Sequence, residues 1–419
     1  MKKLKRASGK WVVGEDFWGR EADVKLFVEL LDEGTHIQLI AQRRMGKTSL
    51  MKEVARRLEQ EGRYLCLYVD LQKRTDCEDA VVALSVATRP HARLWRNVGE
   101  VFRNTLGKAV EAVDSIGADV LTIKLRDDLT AGSWKAKGDR VFAALAASEL
   151  PVVLFLDEMP ILVNRLLKGD DYATTPERRR TADEFLSWLR DNRQRHQGQV
   201  RTVVSGSIGL EPILGQAGLS GTMIDLYPFK LQPWDDDTAA GCLEALANEY
   251  GIQLKEGACN EMVRLLGCCI PHHVQMFFDN VYEYCTRRQD MTCTLEDAGA
   301  VYRERMLSAR GIAELNHYEE RLRMVLGSEL SSFAVELLSE AAVTGRLTPE
   351  ACETLRKEYD LGDSDPGSTQ REILEILVHD GYLRPAPRGY VFVSKLLRDW
   401  WEGRFKLFYT PAQKRGTKS

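Results

Sequence analysis

Several short groups of residues in this 419-residue chain have the types and the order for phosphate chemistry. The first is Ala41-Gln42-Arg43-Arg44-Met45-Gly46-Lys47-Thr48-Ser49. A phosphate-binding loop needs a glycine where the backbone closes on the phosphates, a lysine for the outer phosphates and a hydroxyl for magnesium. Gly46, Lys47 and Thr48 supply these in order, with Ala41 where a first glycine is expected. Taken alone, Gly-Lys-Thr also reads as an accidental opening of a helix. The second group is Asp157-Glu158, directly after the apolar run Pro151–Leu156. Asp157 can hold Mg2+, and Glu158 can orient and deprotonate an attacking water. The alternative is an acidic cap on the next helix, which Met159-Pro160 opposes by extending the loop. The third is Ser205-Gly206-Ser207 after another apolar run. Either hydroxyl could bond the γ-phosphate or the lytic water, and a plain serine turn is the alternative. Arg190, Arg193 and Arg195 end a helix where an arginine could act across a subunit interface. The preferred reading is helix-end arginines on the dipole.

The elements that must position these residues follow from hydrophobic periodicity. Ile37–Ile40 is a buried strand, and Leu50–Ala55 has helical spacing. Tyr64–Leu71 is a second strand. Residues 76–116 are mostly helical, Val120–Leu125 alternates like an exposed strand or hairpin, and 134–148 is helical. The unbroken apolar run before Asp157 is a central parallel strand covered on both faces, with ligands expected at its carboxyl end. Arg201–Val204 and Met223–Leu226 are the fourth and fifth strands. Phe17-Trp18-Gly19 forms either a wall of a base pocket or a hydrophobic staple. Arg178-Arg179-Arg180 lies in a polar stretch and reads as a solvated run.

From Asp235 to about Gly327 the pattern is entirely helical, with breaks at Gly251, Gly267 and Pro271, and suits a lid over a nucleotide. Cys268, Cys269, His272 and His273 lack the separated spacing of metal ligands. A helix start at Pro271, packed near base or phosphates, is the better reading. Residues 331–405 have the helix, helix, helix, hairpin order of a winged helix. Residues 331–380 carry eleven Asp/Glu against four Lys/Arg, and residues 384–419 carry nine Lys/Arg against two Asp/Glu. Glu372, Glu375 and Asp380 give the third helix the wrong sign for DNA. DNA contact would therefore use wing and tail: Arg384, Arg388, Lys414, Arg415 and Lys418. Docking on the lid or on a partner protein is preferred.

The net charge of −4 gives no whole-chain argument for nucleic acid. The opening Met1–Arg6 is not followed by the apolar core of a secretory signal, and no apolar run is long enough to span a membrane. Nine scattered cysteines without repeated Cys-x-x-Cys spacing suggest reduced thiols in a cytoplasm.

With these residues in order, the chain resembles the archaeal-type ATPase family in the STAND-like branch of the AAA+ ATPases. The resemblance rests on Phe17–Glu21, Arg43–Leu50, Leu156–Pro160, Ser205–Ser207, Gly267 with Pro271, and the terminal winged helix. It implies an α/β P-loop NTPase sheet (residues 1–232), an all-α lid (233–328), a winged helix (329–406) and a basic tail (407–419). It also implies ATP/ADP with Mg2+ at the sheet–lid junction, Gly19 and Arg20 near the base, and Ser205 or Ser207 as first sensor. His272 and His273 stand where related ATPases often carry a sensor arginine. The expected function is an ATP-binding, slowly ATP-hydrolysing switch that moves lid and winged helix, with a homo-oligomer, a partner protein or DNA as its context. The alternative is a scaffold with structurally bound nucleotide, and a purine nucleotide other than ATP remains open.

Overall fold

The computed structural model describes residues 4–102, 118–130, 132–359 and 367–415; for 118–119 and 309–315 it describes the backbone alone. Part of the helix expected through residue 116, and Lys418, lie outside the described residues. In chain order the elements are α1 (Glu21–Asp32), β1 (His36–Ile40), α2 (Lys47–Gln60), β2 (Leu65–Asp70), α3 (Cys77–Ala87), α4 (Ala92–Val101), α5 (Ala118–Asp127) and α6 (Trp134–Ala146). Then come β3 (Val152–Asp157), α7 (Met159–Lys168), α8 (Pro176–Arg195), β4 (Val200–Ser205), α9 (Leu210–Gln216) and β5 (Leu226–Lys230). The remainder is α10 (Asp236–Glu249), β6 (Gln253–Leu254), α11 (Ala258–Leu266), α12 (Pro271–Arg288), β7 (Thr292–Cys293), α13 (Leu295–Val301), α14 (Ala309–Thr344), α15 (Pro349–Arg356), α16 (Ser368–His379), β8 (Leu383–Ala386), β9 (Gly389–Phe392) and α17 (Lys395–Phe405).

Contacts divide the chain into two compact units. One comprises Ala22–Ile40 and Leu50–Lys230, and the other Met1–Glu21, Ala41–Ser49 and Leu231–Ser419. The first is built on a five-stranded sheet in the order β2-β3-β4-β1-β5, parallel throughout. Val152 to Phe155 are fully buried, as continuous apolar composition requires of a strand covered on both faces. Leu39 is paired with Ser205, and Leu156 with Val204. The carboxyl ends of β1, β4 and β3 therefore finish at one edge of the sheet.

Three expectations are corrected in this unit. The segment Val120–Leu125 is helical, within α5. Leu121 and Leu125 are buried and lie four apart on one helix face, whereas Val120 and Ile123 are exposed, so the helical period outweighs the alternation. The fifth strand starts at Leu226, and Ser220–Met223 is a short 3-10 turn. Its pairing with β1 runs from Leu226 to Lys230 and includes Pro228, which is tolerated because β5 lies at the sheet edge. Met159-Pro160 opens α7 rather than extending the loop, with Pro160 in the first turn where a missing N–H costs nothing.

The arginines of this unit hold loops in place. Arg178 donates to Lys168 O, 3.0 Å, and pairs with Asp171, and Arg179 donates to Ala217 O, 2.6 Å, so this run is not simply solvated. Arg193 is fully buried and grips Asp225 through two bonds of 2.9 and 2.8 Å, which replaces the dipole reading for that residue. Burial pushes the Asp225 carboxyl up, but hydrogen bonds and charge from Arg193 outweigh it and hold the group below its usual range.

In the second unit, α10 to α13 enclose a core that includes Leu243, Leu246, Met262, Leu266, Phe277 and Phe278, joined by Leu4 and Leu396. A two-residue parallel pairing of β6 and β7 adds to the expected helices. α11 ends at Gly267 with φ 66°, and α12 begins at Pro271. α14 is broken at Gly327, and α15, α16, the antiparallel hairpin β8–β9 and α17 follow. Buried Glu340 accepts from Tyr409 Oη and Ala412 N at 2.8 and 2.9 Å, fixing the chain beyond α17. Arg415 pairs with Glu336 and Glu358. Arg384 and Arg388 are exposed, as are Glu372 and Glu375. All nine cysteines are free thiols. Among the described residues, no helix is long and apolar enough to cross a membrane.

Candidate phosphate site

The phosphate loop leaves β1 at its carboxyl end and runs into α2. Gly46 adopts φ 88° with open space around its Cα, so glycine is favoured there by backbone conformation. Ala41 lies outside the left-handed region, so the missing first glycine brings no strain. Arg44 adopts φ 67°. Lys47 opens α2 and is buried, with Nζ donating to Ala41 O at 2.7 Å and Gln42 O at 3.1 Å. The first turn of α2 carries no acidic residue. An ammonium held over its own loop, at a helix N-terminus without carboxylates, suits a polyanion.

The rest of the loop is tied down by its own unit. Buried Arg20 donates to Met45 O at 3.2 Å, so it holds loop backbone as well as lining the adjoining cavity. Arg43 Nη1 donates to His317 O at 3.2 Å. Burial, then the neighbouring Arg321 and Arg44, lower the Arg43 pKa from its ordinary value. His272 N approaches Arg44 O at 3.4 Å. Ser49 Oγ accepts from Val12 N at 3.1 Å, and Thr48 is half-buried beside it.

Beside the loop lies a cavity whose lining includes Val12, Trp18, Gly46, Trp234, Pro271 and His272. Trp18 is part of this lining, with Nε1 donating to Thr238 O at 3.0 Å. Gly19 is not part of the lining. A Cβ at Gly19 would overlap Thr238 and approach Trp234, so glycine serves close packing there. Sequence reasoning missed the N-terminal arm altogether. Ala7 N donates to Gln275 Oε1 and Gly9 N to His272 Nδ1, each at 3.3 Å, while the Arg6 guanidinium lies 4.1 Å from the Tyr282 ring centre. The only sequence signal for this was Leu4, an apolar residue among lysines, which is fully buried. His272 is thus used as an acceptor for the arm. Cys269 Sγ lies 3.8 Å from Asp236 Oδ1, and burial pushes its thiol up to about 12.

In the sheet unit, β-register sets Asp157 beside Ser205, whose Oγ donates to Asp157 Oδ1 at 2.5 Å. Glu158 takes a left-handed backbone, φ 57° and ψ 28°, at the N-cap position of α7 but makes no capping bond. Its Oε2 accepts from Ser207 N at 2.9 Å and Ser207 Oγ at 2.5 Å. Each serine therefore holds one carboxylate, and neither is a plain turn residue.

No protein-family model and no curated protein sequence matches the chain. Among solved structures, the Walker-type ATPase of Pyrococcus abyssi is 18% identical, with 94% of this chain and 98% of that chain covered and a TM-score of 0.60. The ORC2 protein of Aeropyrum pernix, solved in ADPNP–ADP complexes, is 12% identical, with 92% and 93% covered and a TM-score of 0.51. The chain has the P-loop AAA+ fold. At these identities the likeness concerns fold alone, and it extends over the helical C-terminal region as well as the parallel sheet.

Proposed function

We propose that this chain binds ATP with Mg2+, hydrolyses it slowly, and works as a nucleotide-state switch of the STAND-like type. The observation that carries the reading is Lys47, buried at the acid-free start of α2 with its ammonium on the carbonyls of Ala41 and Gln42. Lys47 and the loop amides hold the phosphates, and Thr48 and Asp157 are the oxygen donors for the metal. When bound, Mg2+ neutralises charge on the phosphates. Ser205 orients the Asp157 carboxylate. Glu158 positions the water and takes its proton, with Ser207 holding one carboxylate oxygen so that the other faces the water. Parallel strand order supports this division of labour, because β1 and β3 flank β4 and end at the same edge, where ligands gather in such sheets. The cavity next to Trp18 and Pro271 is the place for the base, and the region from α14 to α17 acts as a winged helix moved by nucleotide state.

Arg384 and Arg388 remain the cations best placed for a nucleic acid, since Arg415 is engaged with two glutamates. The exposed acids of α16 favour a partner protein over DNA. The two Ser207 bonds to one oxygen of Glu158 also favour a second reading, a scaffold with bound nucleotide and negligible turnover, because that oxygen is already occupied. Phosphate release by purified protein decides between them. Steady release that Lys47→Ala abolishes supports the switch. Stable ADP retention without release, with or without DNA, supports the scaffold.

A further inference from the structure

The N-terminal arm runs along the cavity beside the phosphate loop and is held at separate points along its length. Leu4 is fully buried in the core that α10 to α13 enclose. Arg6 lies over two rings, 4.9 Å from the centre of Tyr250 and 4.1 Å from that of Tyr282, and pairs with Asp279 at 3.5 Å. Its backbone N donates to Tyr250 Oη at 3.2 Å. With Ala7 on Gln275 and Gly9 on His272, the arm meets His272, Gln275, Asp279 and Tyr282, whose three- and four-residue spacing makes them one face of α12. Further along, Val12 N donates to Ser49 Oγ at 3.1 Å, which ties the arm to the end of the phosphate loop.

Ala7, Lys10, Val12 and Asp16 of the arm form part of the cavity lining. The cavity holds about 90 Å3, against roughly 300–1,000 Å3 for a pocket that buries a small-molecule ligand. A nucleotide therefore needs a wall to give way. The phosphate loop and the start of α12 are fixed by the elements they belong to, whereas the hydrogen bonds of the arm are exposed or half-buried. Gly9 and Gly14 take φ 80° and 62° with open space where a Cβ would stand, so the arm can turn at both without meeting a neighbour.

We propose that residues 4–14 are a gate on this cavity, which must open for a nucleotide to enter or leave, with Leu4 and Arg6 as its latch. This rests on the reading of the cavity as the place for the base. A gate latched on the helices α10 to α13 sets the lifetime of each nucleotide state independently of hydrolysis. It also has a kinetic signature. Because the gate is closed without ligand, weakening the latch raises the open fraction and speeds entry and exit alike, whereas losing a plain contact with the nucleotide speeds exit alone.

The test is a stopped-flow measurement of association and dissociation of a fluorescent ADP analogue in Mg2+, on the full chain, for the parent, Leu4→Ala, Arg6→Ala and Arg6→Lys. Leu4→Ala is expected to raise both rate constants about 10-fold or more, and Arg6→Ala to raise both about 3- to 10-fold. Arg6→Lys should fall between Arg6→Ala and the parent, and Kd should stay within about threefold throughout. Arg6 lies at the surface, so Arg6→Ala decides if Leu4→Ala does not fold. Unchanged rates in the variants, with a parent that binds the analogue, overturn the gate and leave the nucleotide site standing. Faster exit with unchanged entry also overturns the gate and makes the arm a plain part of the binding surface. A parent that does not bind the analogue refutes the nucleotide site and the gate with it.

Discussion

Ser207 donates twice to one oxygen of Glu158, and this fixes what its removal should do. Ser207→Ala keeps the backbone N–H and loses the hydroxyl, so the carboxylate keeps its place less well. We expect kcat for phosphate release to fall about tenfold with KM unchanged, and Ser207→Thr to restore most of it. A change in KM alone would contradict a role through Glu158. Arg193 makes a different prediction at the same scale. Breaking its buried pair with Asp225 by Arg193→Ala should cost about 3–5 kcal/mol in urea unfolding. The chemical types were legible in order: Gly46-Lys47-Thr48, Asp157-Glu158 and the two serines. Their partners were not, because Lys47 bonding to Ala41, Arg20 to Met45 and Arg193 to Asp225 are tertiary facts that periodicity does not encode. Arg193 was read against the helix dipole for that reason. Its partner lies 32 residues on, in a stretch whose apolar residues resembled a strand.

The first strand depends on a residue that titrates. His36 begins β1, and its Nδ1 accepts from Thr202 N at 3.1 Å. Burial, then the positive charge of Arg193, lowers its pKa to about 4. The unfolded chain binds a proton there at about pH 6.5. Between these values the unfolded state therefore holds more protons, and stability falls as pH falls from about 6.5 to about 4, by on the order of 3 kcal/mol at the low end. Urea midpoints of the parent should drop across this window, and those of His36→Gln should drop less. Equal slopes would remove His36 from the account. Gly381 tests another junction, since a Cβ there would overlap the Gln42 side chain. Gly381→Val should force the turn off Gln42, raising hydrogen exchange in residues 41–44 and 379–383, and unchanged exchange would contradict the contact. Strands and helices with strong patterns were readable, among them β2, β3, β4 and the helices from α10 onward. The errors came where two periods coincide, as at Leu121, Ile123 and Leu125, or where pairing with a neighbour decides the ends, as for β5 and Pro228.

At the scale of the molecule, the loop that begins after β1 belongs by its contacts with Met1–Glu21 and Leu231–Ser419, not with the sheet. That grouping could not be read from a linear motif, which ties the loop to its flanking strand and helix. The proposed reaction assigns phosphate binding to Lys47 and water activation to Glu158, so binding and hydrolysis should be separable by mutation. The most direct measurement pairs ATP affinity with phosphate release for Glu158→Gln. The account predicts that this variant binds ATP within about threefold of the parent while release falls about 100-fold or more. Release equal to that of the parent would contradict it.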